Sequence, residues 1–411
     1  IMKIIELTEY TPHTFDRDAL PEAVAETLWR THSAQVAVQW PTVATDQQWR
    51  LAAQGWVGFI PFKAHNLGIS LLPKVPLSNL FAMLEMAYEL ESLQIGHDLF
   101  EAESLPDFAE RLALILARRV QSRCRRGIYR QHVEQCDLLS VVRGRIDIAE
   151  LARQSTTSTV ALGIPCRFDE QSADVIDNQI LLWTLHVLIR GGLCSGRSLP
   201  TIRSAFRTLS AFTSLRPISA QTCRTHLRQN HYNRFNQTYR TLHALCLFLL
   251  EQSSPSHCIG DQSMLPFVVN MAQLYERFVA KWLAQNIDSR YRVQAQERHN
   301  FTHIPVQKSS VYFEIDLVVY ERDEKRPRFV MDTKYKVPVT RPDAADVAQV
   351  LAYAQAKNAP EAVLIYPVDL PQPIDFVSNG IRVRSATFGL DGNLFKAGNR
   401  FLGELDVSLT A

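Results

Sequence analysis

The chain has 411 residues, 46% apolar and 21% charged, with 44 basic and 42 acidic residues for a net charge of +2. These values are globular and exclude a disordered or fibrous chain. The length points to two or three domains, and the near-zero balance means that any polyanion-binding surface must come from local clustering.

Seven cysteines stand at irregular spacing, none in a CxxC pair. That argues against a disulfide framework or a zinc ribbon, and a reducing cytoplasm is the expected compartment. Ile1–Glu6 shows no apolar run leading to a cleavage site, so no secretory leader is expected. No run of about 18 uncharged apolar residues occurs, so no membrane span is expected.

Residues 1–95 read as a small β-rich domain. Ala34–Trp40 alternates like a strand, and Trp56–Phe62 and Leu67–Leu72 are short apolar runs punctuated by Gly and Pro. Leu77–Leu90 has helical apolar spacing. Residues 96–262 read as a mainly helical middle domain, with helices over Phe108–Val120, Asn178–Ile189 and Thr238–Leu249. A loop or hairpin containing Gly144, Gly163 and Pro165 lies between the first two, and Ser253–Ser256 forms a linker.

Residues 263–411 change rhythm. A helix is expected from about Val268 to Ala284, then strands over Arg292–Gln296, Val311–Tyr320 and Arg328–Lys334, a helix over Ala344–Lys357 and a strand over Ala362–Tyr366. That order is an α/β layer arrangement, and the whole chain reads as multidomain α+β.

The chemistry concentrates in this last part. Residues two apart on a strand share a face, so Asp332 and Lys334 point the same way. A charged turn, Glu321–Pro327, joins their strand to the one carrying Glu314 and Asp316. If the two strands pair, Asp316 and Asp332 meet. Carboxylates are hard ligands suited to Mg²⁺, and a neighbouring lysine can orient a nucleophile or stabilise charge on a phosphate. The competing reading is an ordinary hairpin with a solvated charged face. Against it, Asp332 follows the apolar run Phe329–Met331, and a charge at the end of a buried strand needs a partner or a metal.

Two helices add to the set. Met271, Leu274, Phe278 and Trp282 form one apolar stripe, while Val279 and Leu283 cover the side that carries Glu276. A glutamate there needs pairing or a ligand; a surface ion pair at the helix rim is the alternative. On the later helix Val347, Val350, Leu351 and Ala354 face the core, while Gln349 and Tyr353 stack one turn apart on another face.

In order, Glu276, Asp316, Asp332, Lys334, Gln349 and Tyr353 resemble the PD-(D/E)xK nuclease superfamily in its RecB-like branch, with Ile315 where the pattern carries proline. Over most of its length the chain also resembles the McrC family. The resemblance rests on Val57–Ile60, Ile69–Lys74, Asn79-Leu80, Val142–Ile146, Pro165-Cys166, Asp169-Glu170, Asp177-Asn178, the run LYERFV and the run MDTKYK. It implies a C-terminal restriction-endonuclease-like domain and a Mg²⁺-dependent DNA endonuclease subunit, with Mn²⁺ as a substitute. Asp316, Asp332 and Glu276 would hold the metal, Lys334 would act on water or the phosphorane, and Gln349 and Tyr353 would support the site or touch double-stranded DNA. It also implies a partner, an McrB-like AAA+ GTPase hexamer contacted through the N-terminal half and stimulated by this chain. 5-Methylcytosine reading would belong to that partner. The alternatives are a non-catalytic activator of the GTPase ring and a stand-alone RecB-like nuclease.

Gly191–Ser198 is not a P-loop: a helix precedes it, and Arg197 stands in the lysine position, so no nucleotide is expected on this chain alone. Arg118, Arg119, Arg123, Arg126, Arg143 and Arg145 read as a phosphate- or partner-binding face, against the alternative of a solvated amphipathic helix. His226 and His231 read as structural or surface histidines.

Overall fold

The computed structural model describes residues 3–90, 105–156, 163–191, 194, 198–229, 231–252, 267–300, 312–322, 326–336 and 340–406. They form a mixed α+β structure in two compact units. One joins the chain up to Phe108 with the chain from Pro266 onward, and the other runs from Ala109 to Ser254. The linker expected at Ser253–Ser256, and parts of the Glu321–Pro327 turn, lie outside the described residues. Among the described residues no helix is long and apolar enough to cross a membrane.

The N-terminal part holds β1 (Lys3–Thr8), β2 (His13–Phe15), α1 (Glu22–Thr31), β3 (Val36–Gln39), β4 (Trp49–Ala53), β5 (Trp56–Phe62), β6 (Leu67–Leu72) and α2 (Leu77–Ala87). β1 runs parallel to β6, and β6 antiparallel to β5. A second sheet has the order β2-β4-β3. Inward residues of both sheets, including Leu7, Leu51, Ile60 and Ile69, share one core with Val24 and Leu28 of α1, as period-two and helical apolar patterning requires.

The second unit holds most of α3 (Leu105–Arg126), then β7 (Gln131–Leu139), β8 (Arg145–Ile146), α4 (Ile148–Thr156), β9 (Ile164–Ser172), α5 (Ile176–Gly191), α6 (Leu199–Ser210), α7 (Ala220–Arg228) and α8 (Tyr239–Gln252). The stretch read as a loop or hairpin is a three-stranded sheet in the order β7-β9-β8. Its first strand, β7, is mostly exposed, so it lacks the buried alternation by which sequence reveals a strand.

The C-terminal part opens with β10 (Phe267–Asn270), not with a helix. Val268 and Val269 are as apolar as the helix that follows, whose expected start at about Val268 moves to Met271. Here they pair antiparallel with β5, extending the N-terminal sheet to the order β1-β6-β5-β10. Gly58 makes this approach feasible: at φ +143° a Cβ there would lie 2.1 Å from the Phe267 carbonyl oxygen. Asn270 then caps α9 (Met271–Asn286), its side chain accepting the Gln273 N–H at 3.1 Å.

After α9 come β11 (Tyr291–Asn300), β12 (Tyr312–Glu321), β13 (Pro327–Thr333), α10 (Ala344–Lys357), β14 (Glu361–Tyr366), β15 (Asp375–Ser378), β16 (Ile381–Thr387) and α11 (Leu394–Glu404). They build a six-stranded sheet in the order β11-β12-β13-β14-β16-β15. β12 and β13 pair antiparallel, as the sequence reading required, while β13, β14 and β16 run parallel. Val350, Tyr353 and Ala354 of α10 pack on Val330, Leu364 and Val383 of this sheet. That packing brings the first turns of α10 to the end of β13.

Candidate active site

Antiparallel pairing of β12 with β13 sets Leu317 opposite Met331. One step along the same register, Asp316 reaches the end of β13. Its Oδ2 accepts the Thr333 N–H at 2.8 Å and the Thr333 hydroxyl at 2.9 Å. Asp332 is only 2% exposed, as the apolar run before it requires. Lys334 Nζ lies 2.6 Å from Asp332 Oδ2. It also donates to Gln349 Oε1 at 3.1 Å, and Gln349 Nε2 donates to the Tyr353 hydroxyl at 2.7 Å. The sheet and α10 thus assemble Asp316, Asp332, Lys334, Gln349 and Tyr353 at one place.

Glu276 comes from α9, and Gln296 Nε2 donates to its Oε1 at 3.3 Å. Gln296 has left-handed backbone (φ 49°), at the point where the β11–β12 ladder passes from Ala295–Leu317 to Glu297–Ile315. Burial, then the charge of Asp316, push the Glu276 carboxyl up to about 7. Burial, then Asp316, raise Asp332 to about 6. Burial also raises Asp316, against the two Thr333 hydrogen bonds that lower it. On Lys334 burial works downward, but Asp332 and Asp346 outweigh it, so the ammonium is stabilised.

Like charges are therefore held close and away from water, at an energetic cost that a cation would relieve. The donor set is all carboxylate, with no thiolate or imidazole, and fits a hard divalent cation such as Mg²⁺. The three carboxylates do not gather within 4.8 Å of one another; Thr333, Lys334 and Gln296 each contact one of them.

Three residues of this neighbourhood escaped the sequence reading. Asp346, on the third residue of α10, lies 3.7 Å from Lys334 Nζ and 2.6 Å from Lys336 Nζ. Its signal was available: it stands three residues before Gln349 and so shares that face. Tyr335 donates its hydroxyl to Glu9 Oε2 at 3.0 Å, and Glu9, fully buried, also accepts the Lys74 N–H at 3.1 Å. No local pattern announces that pairing.

The arginines sit in the second unit. Arg118, Arg119 and Arg126 are exposed on α3. Arg123 instead turns inward, donating to the Phe235 carbonyl at 3.1 Å and lying over the Tyr239 ring. Arg143 lies over Phe168, 3.8 Å from Glu170, and Arg145 is exposed on β8. Asp177, His226 and His243 bring their ligand atoms within 4.8 Å of one another, the only such gathering of three among the described residues. Both His243 nitrogens are already engaged: Nδ1 with the Tyr232 hydroxyl at 2.7 Å and Nε2 with the Asp177 carbonyl at 2.9 Å. The cluster is a polar core tying α5 to α7 and α8, which keeps His226 structural.

A family model described as McrBC 5-methylcytosine restriction system component matches residues 51–367. No curated protein matches the chain. Among solved structures, the chain is similar to one in the refined half-complex from the tetradecameric assembly of Thermococcus gammatolerans McrB AAA+ hexamers with bound McrC. The TM-score is 0.54 and the identity 18%, over 98% of this chain and 99% of that chain. A chain of the cryo-EM structure of the Thermococcus gammatolerans McrBC complex is matched at 18% identity and a TM-score of 0.45, over 68% of this chain and 87% of that one. At the first of these values the likeness is one of fold.

Proposed function

The chain belongs to the family of McrBC 5-methylcytosine restriction system components, and from that membership we propose that it is the nuclease subunit of such a system. It cuts double-stranded DNA with Mg²⁺ when coupled to an McrB-like AAA+ GTPase hexamer, whose GTP hydrolysis it stimulates. One observation carries the reading: Lys334, on the strand end beside buried Asp332, is fixed by Gln349 and faces carboxylates whose protons are held unusually tightly.

Asp316 and Asp332 would hold the cation, with Glu276 as a further oxygen donor from α9. The cation, when bound, supplies charge for the phosphate oxygens and acidifies water. The rest falls to the side chains. Lys334 brings a fixed positive charge to where negative charge develops on the phosphate. Gln349 Oε1 accepts a hydrogen bond from Lys334, and its Nε2 donates to the Tyr353 hydroxyl, so the ammonium does not sweep a wide arc. Thr333 holds Asp316 with two donors.

The test is reconstitution with the GTPase partner, GTP and methylated plasmid. Cleavage that needs partner and Mg²⁺ and stops in EDTA is expected. Cleavage by the chain alone would favour a stand-alone nuclease, and stimulated GTPase without any cleavage would favour a non-catalytic activator.

A further inference from the structure

Lys334 Nζ sits 2.6 Å from Asp332 Oδ2, so a cation that takes that oxygen meets the ammonium and displaces it. Moving a half-buried ammonium is less costly when another anion receives it. The receiving group is on the page. Asp346 Oδ1 is 3.7 Å from Lys334 Nζ, on the face of α10 that also carries Gln349. Asp346 is itself 8% exposed, and its other oxygen is anchored by Lys336 at 2.6 Å. Lys336 is in turn tied to Asp343, the residue that precedes α10.

We propose that Asp346 is a positioning residue for Lys334: it takes the ammonium when Asp332 turns to a divalent cation, and so sets both cation affinity and the placement of the lysine. The inference rests on reading Asp332 as a cation ligand. The bridge has a definite shape. Lys336 pairs with one Asp346 oxygen at 2.6 Å, the other lies 3.7 Å from Lys334 Nζ, and Gln349 Oε1 accepts from the same ammonium.

The experiment is a mutant cycle on the full chain, reading Mn²⁺ affinity by calorimetry and, in the assembled system, kcat and KM for DNA. Asp346→Asn is expected to weaken Mn²⁺ binding roughly tenfold, as loss of a group supporting a ligand does, and to lower kcat with KM for DNA little changed. Lys334→Met is expected to tighten Mn²⁺ binding, because nothing then competes for Asp332. In the Lys334→Met background Asp346→Asn is expected to change Mn²⁺ affinity by less than about twofold, the signature of action through the lysine. An effect of Asp346→Asn that persists in that background would show a merely electrostatic or structural role and overturn the proposal, as would unchanged affinity in the single variant. If Asp346→Asn does not fold, Asp346→Glu reads the same coupling: a carboxylate moved by one methylene must alter affinity with Lys334 present and not with Met. Asp332→Ala separates the two levels. If it binds Mn²⁺ as wild type does, the site reading itself fails; if it loses binding while the Asp346 cycle shows no coupling, only this inference fails.

Discussion

Tyr335 and Glu9, 326 residues apart, meet through a 3.0 Å hydrogen bond from the tyrosine hydroxyl to the buried carboxylate. Tyr335 directly follows Lys334, and Glu9 directly follows the last residues of β1. Tyr335 also packs against Tyr275, the neighbour of Glu276, with ring centroids 5.9 Å apart. The N-terminal sheet is thereby joined to both the lysine strand and the glutamate helix, the latter also through β10, which runs straight into α9.

Tyr335→Phe removes the donor and leaves the carboxyl buried. It should destabilise the protein by about 0.5–1.5 kcal/mol, the net worth of one hydrogen bond, because Glu9 Oε2 keeps the Lys74 N–H. Chemical denaturation measures it, and an unchanged midpoint would count against a structural role for the contact.

The pH dependence follows from the raised carboxyls. Glu276 near 7 and Asp332 near 6 both stand above their ordinary values of 4.5 and 3.8. Between ordinary and raised values the folded state binds more protons than the unfolded one, so stability falls as pH rises. In EDTA the melting temperature should therefore drop between about pH 4.5 and pH 7. Mg²⁺ needs the deprotonated carboxylates, so the stabilisation it gives should grow over the same window. A Mg²⁺ effect that is constant or shrinking with pH would contradict this arrangement.

Gly398 tests the packing under α9. A Cβ there would lie 2.1 Å from Trp282 Cζ2, on a tryptophan only 2% exposed. Gly398→Ala should destabilise by about 1–3 kcal/mol through overpacking. Gly403, on the same helix with nothing within 4 Å of its Cβ position, supplies the control: Gly403→Ala should stabilise by about 0.4–1 kcal/mol. Equal signs for the two would refute the packing account.

Arg384 anchors the sheet from within. It is 6% exposed, lies 2.9 Å from Glu361 Oε2, and donates to the Leu405 carbonyl at 3.2 Å. Glu361 also meets Arg328 at 2.6 Å. Arg384→Ala should cost about 3–5 kcal/mol, since it strands part of a buried charge; a loss below the level of an ordinary surface substitution would show the ion pair to be dispensable.

The candidate site was legible where local pattern and tertiary role coincide. α10 runs over Ala344–Lys357, as the apolar spacing predicted, and the β12–β13 pairing follows from two apolar runs around a charged turn. β10 was illegible because Val268 and Val269 are as apolar as the helix they precede; only the space above Gly58 makes them a strand. β15, β16 and α11 went unread, although β16 is a central neighbour of β14. Glu9 with Tyr335, and Asp177 with His226 and His243, are contacts between distant segments, and no periodicity within either segment encodes them.

The most direct measurement is cleavage of 5-methylcytosine-containing plasmid by the full chain with its GTPase partner, GTP and Mg²⁺, comparing wild type with Asp332→Ala and Lys334→Ala and reading GTP hydrolysis in the same reactions. The account predicts that both variants lose cleavage by at least about 100-fold while GTPase stimulation persists. Cleavage that survives Asp332→Ala, or a wild type that stimulates the GTPase and never cuts, would contradict it.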